Sequence, residues 1–216
     1  MLEFRRVTKG YRTRGGPVTL IGDLTLHLPR GARIAILGRN GSGKSTLIGL
    51  AAGTVLPDGG HVRRQGRMSW PMGFAGGFAP DMTGEQNARF VARVYGVDSR
   101  ALVAHVEEFA ELGPYLRMPV RTYSAGMRAR LAFGLSMGIA FDCYLVDEIT
   151  AVGDAGFRQR ALEAFETRLE DAGLLMVSHS FATLRQYCRE ALLLDGGRVT
   201  HFPDLDQGIR AYEALG

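Results

Sequence analysis

The chain of 216 residues has little cysteine, few lysines and no long apolar run. Cys143 and Cys188 are too few for a disulfide framework, and Cys143 lies in an apolar run typical of a buried thiol. Uncharged stretches such as residues 131–141 stop well short of the roughly 18 residues that a membrane-spanning helix requires. The first residues contain no apolar segment, so we expect no secretory signal peptide.

Lysine is the scarcest charged residue. Of the 26 basic residues 24 are arginine, and the two lysines are Lys9 and Lys44. A chain that uses arginine almost everywhere keeps lysine where a compact charge is needed and a planar guanidinium does not fit. The net charge is +4 and the pI about 9.3. Because the arginines are scattered rather than arranged in a stripe, we expect no nucleic-acid partner.

The hydrophobic pattern favours one α/β domain with subdomains. Continuous apolar runs at 33–37, 143–146 and 174–178 are typical of parallel strands buried on both faces, and helical stretches separate them. The N-terminal residues alternate in polarity up to residue 28, which predicts an antiparallel β subdomain. We therefore expect residues 1–68 and 142–216 to form a mostly parallel core with that β subdomain. Residues of about 69–141 should form a helical subdomain.

Cap residues predict where the helices of the insertion begin. Thr83 and Gln86 have the spacing of a capping box and open a helix that extends to Tyr95. Residues 100–112 predict a second helix, and Ser124 caps a third that extends to Phe141. The C-terminal part returns to strands at 191–194 and 198–201 and closes with a helix at 207–215.

The most specific motif is Gly-Arg-Asn-Gly-Ser-Gly-Lys-Ser at 38–45, which matches G-x-x-x-x-G-K-[ST] in full. A strand precedes it and a helix follows, so backbone amides and a helix N-terminus would converge on phosphate oxygens. Lys44 would reach the β- and γ-phosphates, and the Ser45 hydroxyl would ligate Mg²⁺. The alternative, a glycine-rich turn before an ordinary helix, leaves the agreement between motif and flanking elements unexplained.

Polar residues follow the other two core strands. Asp147 ends one strand. In enzymes with this kind of phosphate-binding loop an Asp at that position holds Mg²⁺, and the following Glu148 can orient the attacking water as a general base. His179 ends the third strand and can contact the γ-phosphate. Each residue alone would be an ordinary strand terminus, and it is the combination with the glycine-rich motif that indicates nucleotide hydrolysis.

A further anion site is predicted where the third insertion helix begins. Ser124 can cap the helix, and the free amides of Ala125 and Gly126 with the helix dipole can bind an anion. The alternative is an N-cap with no ligand.

These motifs, in this order and with Asp154 seven residues after Asp147, resemble the ATPases of ABC transporters over essentially the whole chain. The resemblance implies a head-to-tail dimer that sandwiches two ATP molecules, with Ser124 and Gly126 acting in trans. It also implies that adenine stacks on Tyr11, which could otherwise be a strand-edge tyrosine. The implied catalytic residues are Lys44, Glu148 and His179, and the implied metal ligands are Ser45 and Asp147. The implied nucleotide-binding residues are Tyr11, Gly38, Arg39, Asn40, Gly41, Ser42, Gly43, Lys44, Ser45, Thr46, Ser124, Gly126 and Asp154.

Three segments, at 69–78, 123–128 and 147–154, resemble more narrowly the ATPases of Gram-negative capsular-polysaccharide exporters. The resemblance implies a peripheral subunit on the cytoplasmic face of the inner membrane. Its partners would be an integral membrane permease and, through it, periplasmic and outer-membrane export components. Relatives that export O-antigen or teichoic acid usually have a C-terminal module, so the end at Gly216 favours the capsule type. Those exporters remain alternatives, as do a soluble non-transport ATPase of this family and a non-catalytic nucleotide-binding subunit.

One residue departs from the family pattern. A glutamine that reaches the Mg²⁺ is expected after Phe78, but the residue there is Ala79. Gln86 could replace it, although its spacing from Thr83 favours a helix cap. We expect water to complete the Mg²⁺ site near Ala79, and residues 70–78 to contact the permease mainly through apolar packing.

Overall fold

A computed structural model describes residues 1–13, 15–72, 77–148 and 154–215. Contacts divide the chain into two compact units. The core unit comprises Met1–Pro71, Phe141–Glu148 and Asp171–Gly216. The helical unit comprises Met72–Ala140 and Ile149–Glu170. In the described part of the chain, no helix has the length and apolar character needed to cross a membrane.

Most strands begin and end close to the predicted residues, but two were not predicted: Gly59–Arg64, and Met68–Met72, which opens the segment predicted to be helical. The strands are β1 (Leu2–Thr13), β2 (Gly16–Leu28), β3 (Arg33–Gly38), β4 (Gly59–Arg64), β5 (Met68–Met72), β6 (Cys143–Asp147), β7 (Gly173–Val177), β8 (Glu190–Asp195) and β9 (Arg198–Phe202). The helices are α1 (Lys44–Ala52), α2 (Gly84–Tyr95), α3 (Ser99–Ala110), α4 (Ala125–Gly138), α5 (Ala155–Leu169), α6 (Phe181–Tyr187) and α7 (Leu205–Glu213). Two short 3₁₀ helices, Gly113–Arg117 and Val120–Thr122, lie between α3 and α4.

The strands form two sheets. A three-stranded antiparallel sheet has the order β2-β1-β4, and a six-stranded sheet has the order β5-β6-β7-β3-β8-β9. In the larger sheet β3 runs parallel to β7 and β8, and β6 runs parallel to β7, whereas β9 is antiparallel to β8. This arrangement confirms the predicted α/β class. It also brings the carboxyl ends of β3, β6 and β7 to one edge of the sheet, where ligand sites of such folds lie.

The core of this unit joins both sheets to α1. Its fully buried apolar residues include Leu2 and Phe4 of β1, Ile34 of β3 and Leu47 of α1. Burial of the helix against the strand that precedes it fixes the loop between them, because both ends of that loop are held by packing. Cys143 is also buried, as predicted, and burial raises the pKa of its thiol to about 12.

The helical unit is organised around aromatic side chains. Phe109 of α3, Phe133 of α4 and Phe157 of α5 pack together with ring centroids 5.7 to 6.4 Å apart. Arg130 lies over the ring of Phe157 at 4.6 Å from the centroid. The predicted boundaries placed α5 with the core, and the contacts correct this, because Phe157 packs on α3 and α4.

The caps explain where two helices of this unit begin. Thr83 and Gln86 form both bonds of the predicted capping box at the start of α2. Ser124 caps α4 by accepting a hydrogen bond from the amide of Met127. However, α4 ends at Gly138, three residues before the predicted end, because Ile139 already has an extended backbone that leads towards β6.

Candidate active site

The loop between β3 and α1 is closed by its own lysine. Lys44 Nζ donates to the carbonyl oxygens of Gly38 at 2.8 Å and of Arg39 at 3.1 Å. An ammonium group has three donors, so one stays available for a ligand. Gly38 cannot be replaced without a shift, since a Cβ there would lie 2.5 Å from Ser42 Oγ and 2.7 Å from the Leu194 oxygen. The loop thus holds one compact cation close to its own backbone.

The first turn of α1 has no side-chain cap. Gly43 precedes the helix with a left-handed backbone (φ 104°), and among the described residues no side chain caps the first amides. Those amides need an acceptor, and together with the helix dipole they favour an anion. Ser42 Oγ is buried and has no hydrogen-bond partner among the described residues. These unpaired groups are compatible with the predicted phosphate site.

A cleft of about 400 Å³ opens over this loop, within the core unit. The predicted site residues Asn40, Gly41, Gly43, Lys44, Ser45, Thr46, Asp147 and Glu148 line it, together with Leu20 and Val177. Asp147 ends β6 opposite Val177 of β7, and the amide of Glu148 donates to the Val177 oxygen at 3.1 Å. The sheet therefore delivers both carboxylates to the cleft that the glycine-rich loop borders.

Glu148 has two features typical of a functional position. Its backbone is left-handed, with φ of 60°, a conformation that costs energy for a residue other than glycine and is enriched at active sites. Its Oε1 lies 2.8 Å from His179 Nε2. Because the two side chains are 48% and 68% exposed, this pair contributes little to stability. The effect of the pair is to place the Glu148 carboxylate beside the end of β7.

His179 also lies close to the lysine. A second, smaller cavity of about 60 Å³ is lined by Gly38, Lys44, Ser178, His179 and other residues of the core unit. The structure thus brings together the loop, both carboxylates and the histidine, as the order of the strands predicts.

The oxygen donors in the cleft are compatible with Mg²⁺. Ser45 supplies a hydroxyl and Asp147 a carboxylate, which are hard ligands of the kind that Mg²⁺ prefers. Among residues 1–13, 15–72, 77–148 and 154–215 there is no group of three or more His, Cys, Asp and Glu side chains that could hold a metal alone. Mg²⁺ typically uses few protein ligands and takes the others from phosphate and water.

Tyr11 lies on the β1–β2 hairpin of the core unit. The residue is 45% exposed, and Lys9 Nζ lies 5.2 Å from the ring centroid. Across the hairpin Tyr11 pairs with Val18, which is also exposed. One face of an exposed aromatic ring is thus available for stacking.

Ser124, Gly126 and Asp154 belong to the helical unit. Ser124 is the cap of α4, and of the described atoms a Cβ on Gly126 would meet only Ser124 Oγ at 3.9 Å, so the described residues leave the start of this helix open. Asp154 caps α5 by accepting from the Phe157 amide and pairs with Arg130. That amide, with the positive charge of Arg130, keeps the pKa of Asp154 below its ordinary value. Residues 149–153, within the 147–154 motif, lie outside the described residues, as do 73–76 of the predicted permease segment.

The sequence reasoning missed Asn87, because a single asparagine in a helix has no distinctive pattern. Asn87 is only 2% exposed. Its side chain accepts from the Ala79 amide at 3.0 Å and donates to the Ala79 oxygen at 3.2 Å. The backbone at position 79 is therefore fixed whichever side chain it carries.

The capping box implies a test of Gln86. Replacement of Gln86 by alanine should lower the midpoint of thermal unfolding by roughly 2–4 °C, the effect of about 1 kcal/mol in a chain of this size. The turnover number of Gln86→Ala should stay unchanged. The Ala79→Gln variant should be tolerated, with a turnover number that is unchanged or modestly raised. Thermal unfolding and steady-state ATPase assays measure both quantities. If Gln86→Ala instead reduced turnover sharply at an unchanged midpoint, Gln86 would take the place of the glutamine expected after Phe78.

Comparison with known proteins agrees with these motifs. The family model described as "ABC transporter" matches residues 21–151. The chain is 45% identical to the capsule polysaccharide export ATP-binding protein CtrD of Neisseria meningitidis, over 100% of both chains. It is 43% identical to the polysialic acid transport ATP-binding protein KpsT of Escherichia coli, over 99% of this chain and 96% of KpsT. The O-antigen export system ATP-binding protein RfbB of Klebsiella pneumoniae is more distant, at 31% identity over 93% of this chain and 83% of RfbB.

Solved structures share the fold. A dimeric ATP-binding cassette in a post-hydrolysis state, bound to ADP and Pi, matches with a TM-score of 0.77 and 17% identity, over 95% of this chain and 99% of its own. An ATP-binding subunit of an ABC transporter matches with a TM-score of 0.80 and 23% identity, over 100% of this chain and 95% of its own. The predicted resemblance is thereby confirmed, and the chain belongs to the ABC transporter family.

Proposed function

We propose that this chain is the ATP-hydrolysing subunit of an exporter that drives capsular polysaccharide across the inner membrane. The observation that carries the proposal is the convergence of the Lys44 loop, Asp147, Glu148 and His179 at one edge of the sheet. The choice of cargo rests on the full-length likeness to CtrD and KpsT, the names of which specify capsule polysaccharide and polysialic acid. The lower identity to RfbB makes O-antigen the second candidate.

The chemistry follows from where each side chain lies. Lys44 and the amides at the start of α1 neutralise charge on the phosphates of ATP, which phosphoryl transfer requires. Glu148 orients and polarises the attacking water, and His179 holds the Glu148 carboxylate and contacts the γ-phosphate. Ser45 and Asp147 would hold Mg²⁺, which supplies charge neutralisation between the phosphates when it is bound.

Two copies of the chain would act together. One of the similar solved structures is a dimeric cassette, which supports an ATP-dependent homodimer for this chain. In such a dimer the open helix start at Ser124 and Gly126 of one subunit completes the nucleotide site of the other. Asp154 would lie near that interface.

The remaining partners follow from the transport function. The likeness to ATP-binding proteins of polysaccharide export supports a permease partner, which the subunit would bind on the cytoplasmic face of the inner membrane. Polysaccharide would then pass to periplasmic and outer-membrane components through the permease. A non-transport ATPase of this family has no observation in its favour.

The proposed cargo can be tested in the native cell. Deletion of the gene should abolish surface capsule while polysaccharide accumulates inside, and the wild-type gene should restore export. A gene that encodes Glu148→Gln should not restore it, although the protein is present at normal abundance. Fractionated carbohydrate assays and lipopolysaccharide gels distinguish the candidates. Loss of O-antigen with intact capsule would identify O-antigen as the cargo. Unchanged surface polysaccharide would refute the export function.

A further inference from the structure

The second lysine of the chain is as constrained as the first. Lys9 of β1 is only 15% exposed, although lysine side chains are normally among the most exposed. Its ammonium donates to Asp58 Oδ1 at 2.7 Å and lies 5.2 Å from the centroid of the Tyr11 ring. The charge of Lys9 is therefore fixed between a carboxylate and an aromatic face.

Asp58 also holds the backbone that carries Tyr11. Its Oδ2 accepts from the Gly10 amide at 2.8 Å, and its own amide donates to the Thr8 oxygen at 2.9 Å. The ammonium of Lys9 and the amide of Gly10 hold the pKa of Asp58 below its ordinary value, so the carboxylate is ionised near neutral pH. Three bonds thus tie residue 58 to residues 8–10.

The strand needs this support at that point. The register of β1 with β2 shifts between Lys9 and Gly10, and the register with β4 shifts between Arg5 and Thr8. A shift of this kind leaves backbone groups without ladder partners and re-aims the side chains beyond it. Asp58 supplies an acceptor for the Gly10 amide and thereby fixes the direction in which the side chain of the next residue, Tyr11, projects from the strand.

We propose that Asp58 is a positioning residue for the base of the nucleotide, acting through Lys9 and Gly10 on the ring of Tyr11. The inference rests on the proposed function, ATP hydrolysis, and on the stacking of adenine on Tyr11 that the family resemblance implies. With one face of the ring against the Lys9 ammonium, the orientation of the other face is set before the base arrives, and less ordering is needed on binding.

The role can be tested by binding probes with and without a base. Calorimetric titration with a non-hydrolysable ATP analogue and with inorganic triphosphate separates the contribution of the base from that of the phosphates. Tyr11→Ala should weaken binding of the analogue about tenfold, the scale of one lost base–aromatic stack. Asp58→Ala should weaken binding of the analogue about threefold, the scale of one exposed cation–π contact. Both variants should bind triphosphate as the wild type does.

A double variant distinguishes positioning from a general effect on the fold. In the Tyr11→Ala background, Asp58→Ala should have no further effect on the analogue, because the ring it positions is absent. The matched control is Asp23→Asn, an exposed aspartate of β2 that should leave both affinities unchanged. If Asp58→Ala fails to fold, Asp58→Asn takes its place, because it keeps the size of the side chain but loses the charge that holds Lys9.

The results separate the two levels of the proposal. An undiminished threefold effect in the double variant, or an equal loss of triphosphate binding, would overturn the positioning role of Asp58. An unchanged affinity in Tyr11→Ala itself would instead refute the stacking of adenine on Tyr11, on which the inference depends.

Discussion

Replacement of Glu148 by glutamine should lower the turnover number for ATP by roughly 10²-fold or more, the scale of a lost general base. Glutamine keeps the size of the side chain and an oxygen that can accept from His179, so the geometry at the end of β6 should persist. What it loses is the negative charge that polarises water. ATP affinity should therefore change little, because the loop and Lys44 remain in place.

The same variant should accumulate as a closed dimer. If two subunits enclose ATP and separate only after hydrolysis, a variant that binds without hydrolysing cannot reopen. Size-exclusion chromatography with ATP and Mg²⁺ should then show the dimer, whereas the wild type should return to its nucleotide-free state as ATP is consumed. The matched control is Glu213→Gln, an exposed glutamate of α7 that lines neither cavity. A Glu148→Gln variant that remains monomeric with ATP, or turns over normally, would contradict the assigned role.

The features that were predicted correctly depend on residues close together in the sequence. The Lys44 loop is a contiguous motif between a strand and a helix, so its structure follows from local chemistry. The capping box of α2 uses Thr83 and Gln86, three residues apart, and it formed as predicted. Parallel strands are apolar throughout because both faces are buried, which made β3, β6 and β7 recognisable.

The features that were missed depend on contacts between distant residues. Asp58 meets Lys9 across about fifty residues, and no periodicity in either segment relates them. The placement of α5 depends on Phe157 finding Phe109 and Phe133, which a helical pattern in 155–169 cannot specify. Asn87 is an exception, because position 79 is near it in the sequence, but a bond to a backbone amide requires no particular residue there and so leaves no pattern. Sequence reasoning thus located the chemistry of the candidate site better than the contacts that support it.

Replacement of Lys44 by alanine should weaken ATP binding strongly and abolish turnover. One ammonium serves both the bound substrate and the transition state, so its removal affects both. Loss of hydrogen bonds to a charged group should weaken binding by roughly 10- to 100-fold, and the ATPase rate should fall to background. Arg63→Ala is the matched control, because this exposed basic residue of β4 lines neither cavity.

The sharper test is Lys44→Arg, in a chain that otherwise uses arginine for 24 of its 26 basic residues. The charge is kept, so a purely electrostatic role would survive. However, Lys44 Nζ lies within 2.8 Å and 3.1 Å of two carbonyl oxygens of its own loop, where the packing around Gly38 leaves no space even for a Cβ. A planar guanidinium is wider than an ammonium and presents its donors in a fixed fork, so it should displace the loop and leave turnover near background. A binding titration with ATP measures the affinity of the variant, and a steady-state hydrolysis assay measures its turnover. If Lys44→Arg supported turnover close to that of the wild type, the site would need only a positive charge. Steric fit would then not explain why lysine occupies this position.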